Sequence, residues 1–175
     1  AWLDLEMTGL DPKSCVIVEA ALIVTDDALR MLHPGTHALI KQPKSVLDGM
    51  DPVVRRMHEQ SGLLQALETA TMSLQEVENV LCDALLSCQE ADENRPFVLC
   101  GNSIATDRAF VKAYMPKLDS LLHYRMIDVT CIKLLANAWH LAVPFAKKET
   151  HRALDDIKES IAELAYYKKH VFAGV

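Results

Sequence analysis

The run VIVEAALIVT at residues 16–25 constrains the fold more than any other segment, because it is long, apolar and rich in β-branched side chains. Such runs predict a central strand, since β-branched residues pack well on a pleated surface. Residues 31–40 alternate loosely between apolar and polar side chains after the TDDALR turn, and we expect them to form a neighbouring strand. The chain therefore needs a β-sheet that contains this run.

Strand-like and helical segments alternate along the rest of the chain. Apolar residues at 74, 77, 81, 85 and 86 have helical spacing, and Ser73 with Glu76 forms a capping box before them. Strands come first and then alternate with helices, which predicts an α/β fold with a mixed sheet of about five strands flanked by α-helices. The other predicted elements are a strand within 1–12 that runs into a turn, a loop over 43–52, a short helix over 53–60, a strand over 96–101, a helix over 106–115, a strand over 124–129, and helices over 129–140 and 152–170.

Size and charge limit the possible functions. The 175 residues suit one domain, and no segment resembles an interdomain linker, so we treat 1–175 as a single domain. Half the residues are apolar, which provides a sizeable core, and we expect Trp2 and Trp139 to lie in it. No run approaches the roughly 18 apolar residues of a membrane span. The net charge of −6 argues against a broad basic track for long nucleic acid, but not against an enzyme that acts on a short one.

The five cysteines are odd in number, contain no CxxC pair and lie mostly in apolar surroundings. This pattern favours buried thiols over disulfides or a zinc site, and hence an intracellular, reducing compartment. The first residues already belong to a strand and no start methionine is present, so we expect the native N-terminus to be missing. The compartment would be the cytoplasm or, if a transit peptide is missing, the mitochondrion.

Two carboxylates interrupt the apolar first strand. Residues i and i+2 of a strand project from the same face, so Asp4 and Glu6 point together. Burying two like charges is costly unless a cation compensates them. The cation would be an Arg or Lys side chain, or a divalent metal, since hard cations prefer oxygen ligands. The simpler alternative is a strand end at which both groups reach water.

Further acidic residues follow at two places in the chain. Asp107 lies in the first turns of a helix that follows a buried strand, where ligands usually bind in open sheets, although a helix N-terminus also favours an Asp there. His151 begins the last helix, and Asp155 and Asp156 come four and five residues later. Helical periodicity barely separates these two aspartates, and an ordinary surface or capping role would also suit the histidine.

Together these clusters form an ordered set: Asp-x-Glu on a first strand, Asp in a mid-chain helix and His-x₄-Asp in a last helix. The set resembles the DEDDh exonucleases, whose fold is RNase H-like. The strings WLDLEMTGLDP, CGNSIATDRAF, HYRMIDV and THRALDDIKESIAELAYYKKH are similar to those of the oligoribonucleases along nearly the whole chain. The resemblance implies a 3′→5′ exoribonuclease that degrades short oligoribonucleotides, especially dinucleotides, to 5′-mononucleotides.

The resemblance also implies roles for the site residues. Asp4, Glu6, Asp107 and Asp156 would ligate two divalent cations, Mg²⁺ or Mn²⁺, for two-metal-ion phosphodiester hydrolysis. The family pattern leaves four residues between the histidine and the last ligand, which selects the second of the two neighbouring aspartates. His151 would be the general base, a role that suits imidazole because it titrates close to working pH.

Other matches to the family concern the substrate. Leu10 matches a leucine that wedges against the terminal bases, but Val53 stands where the family has a stacking tryptophan, whose contact is worth about 1 to 3 kcal/mol per base. Ser103, Tyr124 and Arg125 match residues that cap the 5′ phosphate of a dinucleotide, and an arginine binds phosphate bidentately. The family takes the tyrosine and arginine from a second subunit, so the resemblance implies a homodimer. Without the resemblance, HYR would equally suit a surface turn before a strand.

Three other functions fit parts of the sequence. Another DEDDh exonuclease, acting on longer RNA or single-stranded DNA, would share the catalytic set, but the acidic charge and the HYR stretch count against it. A non-catalytic nucleotide-binding module would be expected to have lost one or more of the five site residues, and none is replaced. A structural Ca²⁺ domain would use the carboxylates but would leave His151 without a role.

Overall fold

A mixed sheet organises the chain. The computed structural model describes residues 1–89, 96–141, 145–146 and 151–172. Within these residues the strands lie in the order β3–β2–β1–β4–β5. The pairs β3–β2 and β2–β1 are antiparallel, and the pairs β1–β4 and β4–β5 are parallel. This confirms the predicted α/β class, the five strands and the interior position of the 16–25 run. The strands are β1 (Trp2–Met7), β2 (Ile17–Ile23), β3 (Thr36–Leu39), β4 (Phe97–Gly101) and β5 (Leu122–Asp128).

Helices fill the connections and follow the last strand. The predicted capping box is confirmed: the Ser73 N–H donates to Glu76 Oε2 over 2.7 Å, and the Glu76 N–H donates to Ser73 Oγ over 3.3 Å. The helices of the described residues are α1 (Lys44–Asp48), α2 (Pro52–Gln60), α3 (Leu63–Leu67), α4 (Leu74–Leu86), α5 (Ala105–Tyr114), α6 (Pro116–Leu121), α7 (Val129–Ala138) and α8 (Ala153–His170).

Helices cover both faces of the sheet, and the alternation of β1 divides its residues between them. Leu3 and Leu5 belong to the core beneath α4, α5 and α6. Trp2 faces the other way and packs in a second core with residues of α7 and α8. Asp4 and Glu6 share the face of Trp2, because strand residues two apart project to the same side. The acidic face of β1 is therefore the one that α8 covers.

Three short helices differ from the predictions. Residues 43–52, predicted as a loop, contain α1, which buries no residue and has no side-chain cap. Helices α3 and α6 were also not predicted, because five or six residues are too few to show a helical period. Pro116 ends α5 as expected but is itself the first residue of α6, a position at which proline is favoured.

The predicted core is correct for Trp2 and wrong for Trp139. Trp2 is buried and its Nε1–H donates to Thr25 Oγ1 over 3.0 Å. Trp139 is 62% exposed just after α7, a helix that buries Val129 and Ala136 and leaves Leu134 and Leu135 at the surface.

All five cysteines are free thiols, in agreement with the prediction, but burial differs among them. Cys82 and Cys100 are buried, Cys15 and Cys88 are half-buried, and Cys131 is exposed, so the expectation of buried thiols is wrong for Cys131. None of the described helices is both long and apolar enough to cross a membrane.

Candidate active site

Strand β1 and helix α8 bring three of the predicted carboxylates together. One oxygen from each of Asp4, Glu6 and Asp156 lies within 4.8 Å of the others. Asp156 is in the first turn of α8 and half-buried, whereas Asp155 is exposed and accepts a hydrogen bond from Lys158 Nζ over 3.2 Å. Of the two neighbouring aspartates, the second therefore faces the sheet.

Asp107 lies beside this group, although it is not one of the three. It is buried in the first turn of α5, and its Oδ1 accepts the backbone N–H of Leu5 over 3.0 Å. The turn before α5 passes very close to β1, since a Cβ on Gly101 would lie 3.1 Å from the carbonyl oxygen of Leu3 and 2.8 Å from Ile104 Cδ1. Glycine at the end of β4 thus permits the approach that places Asp107 against β1.

The carboxylates destabilise one another's ionised forms. Burial raises the pKa of Asp4 well above its usual range, and the neighbouring carboxylates, Asp107 first, raise it further. Burial, followed by the charges of Glu19 and Asp156, raises the pKa of Glu6 to about 8. Burial also raises the pKa of Asp107 to about 7, although its backbone hydrogen bonds act in the opposite direction.

This donor set fits a bound divalent cation. The three grouped ligand atoms are all carboxylate oxygens, which hard cations such as Mg²⁺ prefer. A cation among them would relieve the repulsion and desolvation that raise their pKa values. Raised pKa values in a converging group of acids, held by a strand and a helix, are typical of a functional site rather than of a solvated surface.

Removal of divalent metal should lower stability most at high pH. The pKa values of Glu6 and Asp107 are raised by folding from 4.5 and 3.8, so the folded protein keeps protons that the unfolded chain loses as the pH rises towards 8. Its stability therefore falls across that window. We expect the metal-free melting temperature to fall between pH 5 and pH 8, as measured by calorimetry with a chelator. Mg²⁺ or Mn²⁺ at a hundred times its Kd should raise it by about 5 to 10 °C at pH 8, and by less at pH 5. Sodium chloride of equal ionic strength is the control, and an equal gain from it would contradict a metal site.

One histidine lies beside the carboxylates, and it is not the one to which the sequence pointed. His151 lies two residues before the start of α8, with a left-handed φ of 52°. His58 of α2 is fully buried; its Nε2–H donates to the carbonyl of Met7 over 2.9 Å, and its Nδ1 lies 3.7 Å from Glu6 Oε2. Burial lowers the pKa of His58, and the charge of His151 lowers it further. A histidine on a short amphipathic helix gave no sequence signal, because such residues are common in cores.

Glu19 is a second residue that the sequence analysis missed. It pairs in register with Glu6 on the neighbouring strand and is 0% exposed. Burial alone would raise its pKa, but hydrogen bonds from His37, Arg152 and the Ala153 N–H outweigh burial and lower the pKa of this carboxyl. The sequence feature that could have identified Glu19 is its position as the only carboxylate within the apolar run at 16–25.

The candidate base-contacting residues lie at the surface near the end of β1. Leu10 is 76% exposed in the loop that follows the strand, and Val53 is 77% exposed in the first turn of α2. The Asp51 N–H donates to the carbonyl of Thr8 over 3.3 Å, so the start of α2 lies beside that loop. Both side chains are therefore available to a ligand at this end of the sheet.

The predicted phosphate-contacting residues fall into two places. Ser103 follows β4 with a φ of 50°, and its N–H is shared by Asp128 Oδ1 and Thr130 Oγ1, each at 2.9 Å. Its hydroxyl lies 3.3 Å from that of Thr130, which the sequence analysis did not identify. Tyr124 and Arg125 lie on the edge strand β5, both exposed, with the guanidinium carbon 5.1 Å from the tyrosine ring centre.

Known proteins resemble this chain in sequence and in fold. Residues 1–164 match the RNase_T exonuclease family. The chain is 47% identical to an oligoribonuclease of Corynebacterium glutamicum, across 99% of this chain and 80% of that protein. It is also 47% identical to an oligoribonuclease of Pseudomonas paraeruginosa, across 97% of this chain and 93% of that protein.

Among solved structures, an exonuclease I from Methylocaldum szegediense is similar with a TM-score of 0.73 and 15% identity, over 98% of this chain and 40% of that one. The nuclease domain of 3′hExo, described as a DEDDh family member and bound to rAMP, has a TM-score of 0.62 and 13% identity, over 96% of this chain and 90% of that one. These likenesses confirm the RNase H-like fold. The extent and identity of the sequence matches show that the chain belongs to the oligoribonuclease family, a group of nucleic acid-hydrolysing exonucleases of the kind that use divalent metal ions.

Proposed function

We propose that residues 1–175 form one exonuclease domain that removes 5′-mononucleotides from the 3′ end of short oligoribonucleotides, and of dinucleotides above all. The convergence of Asp4, Glu6 and Asp156 within 4.8 Å carries the proposal. Its support is threefold: the chain belongs to the oligoribonuclease family, His151 lies two residues before the helix that holds Asp156, and the acidic side chains of Glu6 and Asp107 are buried.

The four carboxylates hold two divalent cations, Mg²⁺ or Mn²⁺, in this proposal. Asp4 and Glu6 provide ligands from a strand, and Asp107 and Asp156 provide them from the first turns of two helices. Ligands on regular elements keep the rigid geometry that a catalytic site requires. When bound, such ions supply positive charge that offsets the phosphate oxygens and the departing 3′ oxygen, and they make water more acidic.

His151 is the general base and takes the proton of the attacking water. Imidazole is the side chain that most often accepts a proton in catalysis, which suits His151 to this role. The water oxygen bonds to phosphorus as the P–O3′ bond breaks and the departing 3′ oxygen takes up a proton, so the products are a 5′-mononucleotide and a chain with a free 3′-hydroxyl.

Substrate length is selected by contacts at both ends of a dinucleotide. Leu10 packs against the bases, and Val53 gives a weaker contact than an aromatic ring would. The hydroxyl of Ser103 and the side chains of Tyr124 and Arg125 bind the 5′ phosphate, with the guanidinium as a bidentate donor. These contacts favour the binding of a substrate whose 5′ phosphate lies one nucleotide from the cleavage site, and they obstruct longer chains.

The active form is a homodimer in which each site receives Tyr124 and Arg125 from the partner. Their exposure on an edge strand supports this arrangement: Tyr124 is 73% exposed. The same part of the molecule has an apolar surface that a single chain leaves uncovered, which is typical of an interaction face. The exposed apolar side chains there are Met126 and Ile127 of β5, Leu134 and Leu135 of α7, and Trp139 just after α7. The five free thiols suit a reducing compartment.

A length series tests the function. RNA of two to about ten nucleotides with a 5′ phosphate is incubated with Mg²⁺ or Mn²⁺, and mononucleotide release is measured for each length, with a matched DNA series beside it. We expect the dinucleotide to be cleaved fastest. A rate that rises with length would favour an exonuclease for longer RNA or single-stranded DNA, and cleavage at no length would favour a non-catalytic nucleotide-binding module.

Arg125→Ala should erode the preference for dinucleotides. Loss of a charge-assisted bidentate contact costs about 1.5 to 3 kcal/mol, or about 10- to 100-fold in kcat/KM for the dinucleotide, and less for longer RNA. An equal loss at every length would mean that Arg125 does not measure length.

A mixture of variants then tests donation across the dimer. Arg125→Ala protomers mixed with Asp4→Asn protomers should recover activity on the dinucleotide. In a mixed dimer, the site with an intact Asp4 receives the intact Arg125 of its partner. Absence of recovery, with subunit exchange verified, would mean that each site uses its own Arg125.

A further inference from the structure

Glu19 binds the start of α8 from the middle of the sheet, although it is not one of the grouped carboxylates. Its Oε1 accepts hydrogen bonds from Arg152 Nε over 3.0 Å and from an Arg152 terminal nitrogen over 2.8 Å, and it also contacts His37 Nε2. Its Oε2 accepts the backbone N–H of Ala153 over 3.1 Å. The carboxylate thereby ties α8 to β2 and β3.

These contacts replace a conventional cap on α8. The first N–H groups of a helix lack intrahelical partners, and a side chain just before the helix usually accepts one of them. Arg152 occupies the cap position of α8 and makes no such bond with its side chain. The carboxylate of Glu19, 134 residues from Ala153 in the chain, accepts the N–H instead.

The segment fixed in this way lies between two residues of the site. His151 immediately precedes Arg152, and Asp156 follows in the first turn of α8. His151 has a φ of 52°, a conformation that a non-glycine residue keeps only when its surroundings hold it. The two hydrogen bonds that Glu19 Oε1 accepts from the Arg152 guanidinium supply such a constraint at the residue next to His151.

We propose that Glu19 is a positioning residue, which acts through Arg152 and the Ala153 N–H to hold His151 and Asp156 against the carboxylates of β1. The inference rests on the proposed roles of His151 and Asp156. Glu19 is not one of the three grouped carboxylates, so the effect proposed for it is on where the imidazole and the α8 carboxylate lie.

The test compares Glu19→Gln with Glu78→Gln, since the chain offers a matched pair. Glu78 is 3% exposed, and its Oε1 accepts the N–H groups of Lys117 over 2.7 Å and Leu118 over 3.2 Å at the start of α6. Both variants therefore lose a buried charge that caps a distant helix. They differ in which helix is released and in that the charge of Glu19 also acts on Glu6, so the Arg152 variants, which keep Glu19, separate the two effects.

We expect Glu19→Gln to lower kcat on the dinucleotide by about 10- to 100-fold, as loss of an outer partner typically does, with little change in KM. Glu78→Gln should keep kcat, while its melting temperature falls by about as much as that of Glu19→Gln.

Arg152→Lys keeps the charge but not the paired donors, so it should lose less activity than Arg152→Gln. The double variant Glu19→Gln/Arg152→Gln should be no worse than the poorer single variant, because both remove the same contact.

Hydrogen exchange in the metal-free protein gives a readout that does not depend on activity. Glu19→Gln should speed amide exchange over Ala153–Asp156, and Glu78→Gln should speed it at Lys117 and Leu118 instead.

If the wild-type protein hydrolyses the dinucleotide and Glu19→Gln keeps its kcat, the positioning role is wrong while the proposed function stands. Equal kcat losses in Glu19→Gln and Glu78→Gln, or unchanged amide exchange at the start of α8, would also contradict the positioning role. If the wild-type protein cleaves no RNA, the proposed function fails, and the exchange comparison still decides whether Glu19 fixes α8. Should Glu19→Gln fail to fold, Arg152→Lys and Arg152→Gln carry the same comparison.

Discussion

An Asp4→Asn variant is expected to remain folded and to hydrolyse the dinucleotide about 10³-fold more slowly or worse, because metal-assisted charge stabilisation contributes several kcal/mol to the rate. The amide is neutral, and so it removes a buried charge that the other carboxylates repel. The metal-free melting temperature at pH 8 should therefore hold or rise, while the increase caused by Mg²⁺ or Mn²⁺ shrinks. Mononucleotide release and calorimetry with and without metal measure the two effects.

Asp155→Asn is the matched control for this variant. Asp155 is exposed and pairs with Lys158 at the surface, so the same substitution there should leave turnover and the metal-induced stabilisation unchanged. Near-normal turnover by Asp4→Asn would refute the metal assignment. A loss of activity together with a lower metal-free melting temperature would instead indicate damage to the fold.

His151→Ala is expected to lower kcat by about 10² to 10⁴-fold, the usual contribution of a general base. The carboxylates remain, so Mn²⁺ should still raise the melting temperature as it does in the wild-type protein. Steady-state rates from pH 5 to 9 with calorimetry on the same samples provide the measurement.

His140→Ala controls for the backbone at this position. His140 also has a φ of 52° and is exposed after α7, so its replacement repeats the change at a left-handed residue without touching the site. We expect normal rates from it. An unchanged rate in His151→Ala would remove this residue as the base, and loss of the metal-induced stabilisation would mean that it helps to hold the ions.

The sequence predicted the three carboxylates that the structure groups together, because strand geometry and the family pattern agreed. The two-residue period of a strand put Asp4 and Glu6 on one face, and the structure shows them there beside Asp156. Helical periodicity alone could not separate Asp156 from Asp155; the tertiary packing of α8 does, by turning one to the sheet and the other to solvent.

Residues whose importance depends on distant contacts could not be predicted in this way. Glu19 interacts with a segment 133 residues later, and Thr130 contacts a serine 27 residues earlier, so neither has a local pattern. Trp139 was predicted to lie in the core, but the described residues leave it 62% exposed just after α7. The short helices α1, α3 and α6 contain less than two turns and so show no period.

The order of the site residues along the chain has a consequence for protein synthesis. The acidic face of β1 leaves the ribosome before the histidine and before α8, which holds the final aspartate. Under the proposed roles, a polypeptide synthesised only as far as β1 has two of the five site residues and does not cleave RNA near the translating ribosome. Activity then begins only when α8 docks on β1, so that the folding of this helix and the onset of hydrolysis coincide.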